Sequence, residues 1–224
     1  MMIQPISTVD PISAGPSSTK STPAPKSTQQ TPQDTVHLSA QAQATLGPIS
    51  VLVHNAGVDK PFGPIGVYDP DDWWRAQNVH VRGALLFMHA CLPAMRAARR
   101  GRIINMASAA AVIVGANTSA YCCAKAALVR LTEHVDQEIK PHGLCAFAVQ
   151  PGTIATQMMD DSLSDPVAQE WAPGMMAQLE HFKALDPEPE LRRLGRQFVA
   201  LACGDHDAAS GRYIDLEAEL LPVG

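Results

Sequence analysis

The sequence has neither a long run of one charge nor a long apolar run. Its 224 residues include 17 Lys and Arg against 22 Asp and Glu, for a net charge of −5. Nucleic-acid-binding surfaces are usually marked by a basic patch. Here the longest basic cluster, residues 96–100, has the form of cations that complement a helix C-terminus. We therefore expect no nucleic-acid partner. No apolar stretch approaches the ~18 residues that a membrane span needs, so no membrane contact is expected either.

Cysteine pairs and targeting signals are also lacking. The cysteines are Cys91, Cys122, Cys123, Cys145 and Cys203, and none shows Cys-x-x-Cys spacing. We interpret them as reduced, mostly buried small apolar residues, and the sequence predicts no metal site. The N-terminus has neither a secretory apolar core nor the Arg residues of a mitochondrial presequence, so a cytoplasmic protein is expected.

Residues 1–35 differ in composition from the rest of the chain. They contain many Pro, Ser and Thr and few large apolar groups. Such a segment buries too little surface to offset its loss of conformational entropy, so we predict that it is disordered. Residues 36–224 are the second predicted unit. The chain is 46% hydrophobic and is long enough to bury a sizeable core there.

Short apolar runs alternate with helical patterns in this second unit, which predicts an α/β fold. Strands are predicted at 51–54, 102–106, 144–149 and 212–215, with the composition of a buried parallel sheet. Helices are predicted to start at Pro70, to carry Tyr121 and continue to the stop at 141–143, and to cover 188–203. A Met-rich stretch between Gly152 and Pro187 is interpreted as packing, with an apolar substrate pocket as the alternative.

Three polar residues in the middle of the chain have the outline of a proton-transfer site. Tyr121 and Lys125 are four residues apart in a helical pattern, so both side chains lie on one helix face. A nearby cation favours a phenolate, and we therefore expect Lys125 to lower the pKa of Tyr121. Ser108 follows a predicted strand thirteen residues upstream of Tyr121 and can donate a hydrogen bond to the same substrate oxygen. Tyr121 is thus a candidate general acid or base.

Five segments resemble the short-chain dehydrogenase/reductase family, and they occur in the family's order. The segments are Val-Leu-Val-His-Asn-Ala-Gly at 51–57, Gly-Arg-Ile-Ile-Asn-Met-Ala-Ser at 101–108, Tyr121 with Lys125, Pro-Gly-Thr-Ile-Ala-Thr at 151–156, and Ser-Gly-Arg-Tyr-Ile-Asp at 210–215. In the first segment His54 replaces an Asn of the family pattern. The resemblance implies a Rossmann-like, doubly wound parallel sheet.

The resemblance also implies a function. It predicts an NAD(P)-dependent oxidoreductase that interconverts a carbonyl and a secondary alcohol by hydride transfer. Tyr121 would transfer the proton, Ser108 would position the substrate oxygen, and Lys125 would tune Tyr121 and hold the nicotinamide ribose. Other cofactor contacts are implied for Asn55, Ala56, Gly57, Pro151, Gly152, Ile154 and Thr156. The expected cofactor is NAD or NADP, the expected partner is a small carbonyl or alcohol substrate, and a homo-oligomer is expected.

Two departures from the family pattern stand out. Family members open with a strand and a Thr-Gly-x-x-x-Gly-x-Gly turn that receives the cofactor pyrophosphate, and this sequence has no such turn. An N-terminally truncated sheet is therefore expected. His80 takes the place of a family Asn that leads to the catalytic Lys through a water. A neutral imidazole donates one hydrogen bond and accepts another, so His80 is a candidate relay residue. Asn78 would point to a different helix face, and the other histidines are interpreted as surface or satisfied core residues.

These departures leave a second hypothesis open. The chain is either the enzyme described above or a non-catalytic family member that acts at most by association through its helices. The second case covers both a truncated protein and an incorrect gene model. A glycine-rich strand–turn–helix encoded upstream would favour the enzyme.

Overall fold

Four parallel strands form the sheet of the computed structural model, which describes residues 41–42 and 44–218. The strands β1 (Val51–His54), β2 (Arg102–Met106), β3 (Cys145–Gln150) and β4 (Tyr213–Asp215) lie side by side in chain order. The bounds predicted for the first two strands are confirmed, and the other two begin one residue later than predicted. The predicted disordered segment 1–35 lies outside the described residues.

Helices connect the strands. They are α1 (Pro70–Gln77), α2 (Gly83–Ala98), α3 (Ser119–Ile139), α4 (Gln157–Leu163), α5 (Pro166–Trp171), α6 (Pro173–Lys183) and α7 (Glu188–Cys203). The predicted start at Pro70 is confirmed, because the Asp69 side chain accepts a hydrogen bond from the Asp71 N–H at 2.9 Å and caps α1. The predicted stop after α3 is also confirmed, since Gly143 adopts a φ of 76° that ends the helical run.

The sheet buries side chains on both faces. Successive strand residues point to opposite faces, so the adjacent residues Ile103 and Ile104 enter two different cores. Ile103 packs with Met88 of α2 and Leu128 of α3, whereas Ile104 packs with residues of α7 and β4. Helices therefore cover both faces of a parallel sheet, which confirms the predicted α/β, Rossmann-like fold.

A π-helical turn joins α1 to α2. Residues Asn78–Arg82 continue the helical run with the wider π geometry, which in proteins is often found at functional sites. The turn contains His80, whose side chain is fully buried, whereas Asn78 is exposed. Asn78 thus lies on a different face of the helix from His80, as predicted.

The cysteine side chains are less buried than predicted. Among the described residues the five cysteines form no disulfide; only Cys91 is buried, and Cys123 and Cys203 are exposed. The prediction of mostly buried cysteines is therefore wrong, because these two thiols lie on solvent-facing sides of α3 and α7. Within the described residues, no helix combines the length and apolarity that crossing a bilayer requires. No group of three or more His, Cys, Asp or Glu in the same residues could hold a metal ion.

Candidate active site

The carboxyl ends of β1, β2 and β3 bring the predicted site segments to one edge of the sheet. Residues 55–57 follow β1, Ser108 lies two residues beyond β2, and residues 151–156 follow β3. Because the three strands are parallel neighbours, these segments share the edge where open α/β sheets bind their ligands. Asn55 and Ala56 are exposed there, and Gly57 is half-buried.

Contacts from α1 and the loop before it fix the start of α3, which carries Tyr121. The Tyr68 and Ser119 hydroxyl oxygens are 2.6 Å apart, and Trp73 Nε1 donates to Ser119 Oγ at 3.2 Å. Gln77 Nε2 donates to the Ala120 carbonyl oxygen at 2.9 Å. Three side chains thus hold the two residues that precede Tyr121, and the position of its ring follows from them.

Burial, rather than Lys125, dominates the pKa of Tyr121. Burial raises this pKa, and a hydrogen bond with Ser108 offsets part of the rise. The prediction that Lys125 lowers the Tyr121 pKa is therefore wrong. The physical reason is the burial of the Tyr121 phenol, which disfavours its charged form. Lys125 Nζ donates to the Met106 carbonyl oxygen at 2.6 Å and lies 5.5 Å from the centroid of the Tyr121 ring. Burial also lowers the pKa of Lys125 itself, to about 8.

His80 forms the floor beneath the turn that follows β1. Its Nε2 lies 2.7 Å from the Val58 carbonyl oxygen and 3.1 Å from the Val58 nitrogen, so either neutral tautomer finds a partner there. A Cβ on Gly57 would come within 2.7 Å of the imidazole, so only glycine fits at that position. The His80 ring meets the Tyr121 ring edge-on at 5.5 Å. Burial, reinforced by the Lys125 charge, lowers the His80 pKa to about 4 and keeps the imidazole neutral at pH 7.

Two buried residues to which the sequence analysis assigned no role in the site belong to it. His54 and Asn105 stand opposite each other on β1 and β2, with exposures of 4% and 0%. Asn105 Nδ2 donates to Thr132 Oγ1 at 2.9 Å, whereas Asn105 Oδ1 and His54 Nδ1 have no hydrogen-bond partner among the described residues. The interpretation of His54 as a satisfied residue is thus wrong for Nδ1. The replacement of a family Asn by His54 was the available signal.

The segment after β3 is shaped by a glycine and a helix cap. Gly152 has a φ of 93°, which L side chains rarely adopt. Thr156 caps α4 by accepting a hydrogen bond from the Met159 N–H at 3.4 Å. Ile154 packs against the core on the α7 side of the sheet and lines a cavity of about 360 Å³ together with Arg193 and Glu217.

Asp59 is a further residue that the sequence did not single out. It follows Gly57 by two residues and accepts a hydrogen bond from the buried Ser162 of α4. Burial raises its pKa, and its charge in turn raises the pKa of Tyr121. Asp59 lines a cavity of about 920 Å³ that also contains Met158. Met159 and Met176 are buried, so the Met-rich stretch supplies both packing and cavity lining.

A family model covers most of the site. Residues 22–166 match the model described as short chain dehydrogenase. This match includes the strands β1 to β3, Ser108, Tyr121, Lys125 and the segment 151–156, and it begins upstream of the first motif recognised in the sequence.

Known proteins of the same kind are similar over part of their length. A short chain dehydrogenase of Pseudocercospora fijiensis is 28% identical over 194 residues, which are 82% of this chain and 60% of the relative. An "inactive 2-(S)-hydroxypropyl-CoM dehydrogenase 2" of Xanthobacter autotrophicus is 34% identical over 157 residues, which are 70% of this chain and 60% of the relative. The crystal structure of the KRED1-Pglu enzyme superposes with a TM-score of 0.71 at 27% identity and covers 82% of this chain and 75% of that one. The chain spans about half the length of the curated relatives it matches, from 44% to 60% in the first three.

Proposed function

Because the chain belongs to the short chain dehydrogenase family, we propose that it is an NAD- or NADP-dependent oxidoreductase that interconverts a carbonyl and a secondary alcohol. The observation that carries this proposal is the grouping of Tyr121, Ser108 and Lys125 at the carboxyl edge of the sheet. The Ser108 side chain lies close enough to the Tyr121 phenol to lower its pKa, and Lys125 Nζ lies 5.5 Å from the ring centroid of Tyr121. Family members carry out this class of reaction with the same three residue types.

The residues present fit the nicotinamide end of the cofactor. Lys125 Nζ donates to the Met106 carbonyl oxygen, and an ammonium group has two further N–H donors that suit ribose hydroxyls. Asn55, Ala56 and Gly57 would line the cofactor cleft after β1, and Pro151, Gly152, Ile154 and Thr156 would contact the nicotinamide end after β3. When bound, the cofactor would supply or accept the hydride.

The protein residues would manage the proton and the substrate oxygen. In the reduction direction Tyr121 holds a proton at its phenolic oxygen and transfers it to the substrate oxygen as the alcohol forms. The raised pKa keeps this proton on Tyr121 at neutral pH. Ser108 donates a hydrogen bond to the same oxygen and orients it. His80 contacts the Val58 backbone and meets the Tyr121 ring edge-on, and we propose it as the relay residue that leads to Lys125.

Removal of the Tyr121 hydroxyl group tests whether Tyr121 is the general acid. We expect Tyr121→Phe to lower the rate of carbonyl reduction at least ~100-fold, since general acid catalysis contributes at least this factor. Nicotinamide absorbance follows the reaction, and calorimetry measures cofactor affinity, which should stay within ~3-fold because only the hydroxyl is removed. Tyr213→Phe is the matched control, because Tyr213 lies on β4 and its hydroxyl has no partner among the described residues. Equal turnover in the Tyr121→Phe variant and the wild type would exclude Tyr121 as the acid.

Association is the second candidate function, and the edge of the sheet favours it. Among the described strands, β1 pairs only with β2, and the Val53 side chain on β1 is 49% exposed. An apolar edge strand is a template for pairing with another chain. We infer a homo-oligomer on this ground. In the non-catalytic case the chain would act at most by association, through this edge in addition to the helices named in the sequence analysis.

A further inference from the structure

The cavity of about 920 Å³ has an excess of negative charge. It lies between the loop that follows β1 and the helices α4 and α5. Its charged lining residues are Asp59, Asp69, Asp72, Asp161, Asp165, Lys60 and Arg75. Lys60 pairs with Asp165 at 2.6 Å and Arg75 with Asp72 at 3.0 Å. Within the described part of the chain, the three remaining carboxylates have no ion-pair partner.

Asp59 is the carboxylate that links this cavity to Tyr121. Ser162, which is 1% exposed, donates a hydrogen bond to Asp59 Oδ2 and fixes the carboxyl group on the wall. Val58, the residue before Asp59, lines the same cavity, and its carbonyl oxygen lies 2.7 Å from His80 Nε2. The His80 ring in turn meets the Tyr121 ring at 5.5 Å. Asp59 therefore follows directly on the segment that joins the cavity wall to Tyr121, and its charge acts on the Tyr121 phenol. Desolvation penalises the charged carboxylate, and a cationic ligand group would offset this penalty.

Aromatic rings complete the wall and favour an organic cation. Trp171 and Tyr68 line the cavity with Asp59. The Trp171 backbone is held by Asn117, whose Nδ2 donates to the Trp171 carbonyl oxygen at 2.7 Å. Aromatic faces attract ammonium groups, most strongly where water is excluded. The carboxylates are dispersed along the wall, and no three acidic groups of the described residues are close enough to hold a metal ion. An alkylammonium group, which needs one carboxylate and an apolar or aromatic surface, fits this lining better than a metal ion.

We propose that Asp59 is a specificity-determining residue that selects substrates with an ammonium group close to the reacting carbonyl or alcohol carbon. This inference rests on the proposed function, since it assumes that Tyr121 marks the reacting oxygen. The substrate class is then that of amino ketones and amino alcohols. The apolar lining, which includes Phe62, Val67 and Met158, accommodates their alkyl substituents.

Two isosteric probes test the inference without any cofactor. N,N-dimethylisopropanolamine is protonated near neutral pH, and isobutyl methyl carbinol has the same shape without the charge. We expect calorimetric titration of the full chain to give at least ~10-fold tighter binding of the protonated amine, as for a partly desolvated ammonium group beside an aromatic ring and a carboxylate. In Asp59→Asn, which keeps the shape of the side chain, the ratio of the two affinities should fall toward unity. Asp205→Asn changes an exposed carboxylate outside the cavity and should leave the ratio unchanged.

The possible outcomes separate this inference from the proposed function. Equal binding of both probes to the wild type, tighter binding of the neutral alcohol, or no binding of either probe would overturn the inference, and these results need no variant. A preference that survives in Asp59→Asn would also overturn it. An intact cationic preference together with no hydride transfer would overturn the proposed function alone, because probe binding does not depend on the reaction.

Discussion

His54, His80 and Lys125 are three buried nitrogen bases at the centre of the site. Each has a pKa below its usual value, and burial is the largest cause in every case. The Lys125 charge adds to the lowering at both histidines. The His80 pKa falls to about 4, so its imidazole is neutral at pH 7, whereas Lys125, with a pKa of about 8, titrates closer to physiological pH.

The Lys125 pKa makes stability depend on pH in the alkaline range. The unfolded pKa is 10.5 and the folded pKa about 8, so between these values the unfolded state binds more protons. The free energy of unfolding should therefore rise with pH from about 8 to 9.5, by at most ~1.4 kcal/mol per pH unit. Below pH 8 the penalty for the buried ammonium is present in full. Urea unfolding of the wild type and Lys125→Met across this range measures the effect, and the variant should lack the rise.

Lys140→Met is the control for that experiment. Lys140 is exposed at the end of α3, so its replacement should leave the slope of the wild type intact. A Lys125→Met variant with the wild-type slope would show that another group titrates in this range.

The residues that were predicted and those that were missed differ in how their contacts arise. Tyr121 and Lys125 share a helix face by local periodicity, and Ser108 ends a strand, so a short stretch of sequence places all three. Asp59 enters the site through Ser162, which is 103 residues away in the chain, and Asn105 through Thr132, which is 27 away. Such contacts depend on how separate elements pack. The direction of the Tyr121 pKa shift was missed for the same reason, because burial of the ring is a property of the packed site.

At the scale of single elements, the end of α7 depends on a glycine. Gly204 ends the helix with a φ of 102°, and a Cβ at this position would overlap the guanidinium of Arg102. That guanidinium donates two hydrogen bonds to Asp207, at 2.8 and 2.7 Å. Gly204 thus permits both the helix stop and an ion pair between β2 and the segment that leads to β4.

Two glycines of the same helix region should respond oppositely to the same substitution. Gly204→Ala should lower the free energy of unfolding by about 1–3 kcal/mol, because of backbone strain and the clash with Arg102. Gly195→Ala should raise it by about 0.5–1 kcal/mol, because Gly195 lies within α7 with open space around its Cβ position. Urea unfolding of both variants and the wild type measures these changes in the free energy of unfolding. Stabilisation by Gly204→Ala would mean that the helix ends differently.

The bounds of α7 were predicted residue for residue, whereas those of α4, α5 and α6 were not. The α7 sequence has acidic residues in its first turn and a glycine after its last residue, which are local end signals. The three short helices are separated by single residues or pairs within a Met-rich stretch. Their ends depend on caps such as Thr156 and Asp165, which become recognisable only once the helices are located.

At the scale of the whole molecule, we expect the β1 edge of the sheet to determine whether copies of the chain associate. We expect the purified chain to self-associate, because β2 is the only neighbour of β1 among the described strands and Val53 beside that edge is exposed. Val53→Lys places a charge on this edge and should shift the sedimentation profile toward the monomer. Val199→Lys, at an exposed position of α7, should not. If both variants associate like the wild type, the β1 edge is not the contact.

We also expect the affinity of the chain for its cofactor to depend on which cofactor-binding segments it contains. The sequence has no glycine-rich turn for the pyrophosphate, and such turns supply much of dinucleotide recognition. We expect the 224-residue chain to bind NADH or NADPH no better than about millimolar, a free energy near −4 kcal/mol. Calorimetric titration of either cofactor is the measurement. Micromolar affinity would mean that another segment or a second subunit supplies the missing contacts, and it would exclude the non-catalytic alternative.

The π turn at Asn78–Arg82 makes the number of residues in this helix as important as their identity. Each residue advances an α-helix by about 100°, so deleting one residue from the turn would rotate α1 by about that angle relative to α2. Gln77 and Trp73 would then lose their contacts with the start of α3, or else His80 would leave the floor beneath Gly57. A homologue with the same side chains but one residue fewer could not build this site. Length in this short interval is therefore a structural requirement of the site, and a relative with a gap there would need a different arrangement even at high percentage identity.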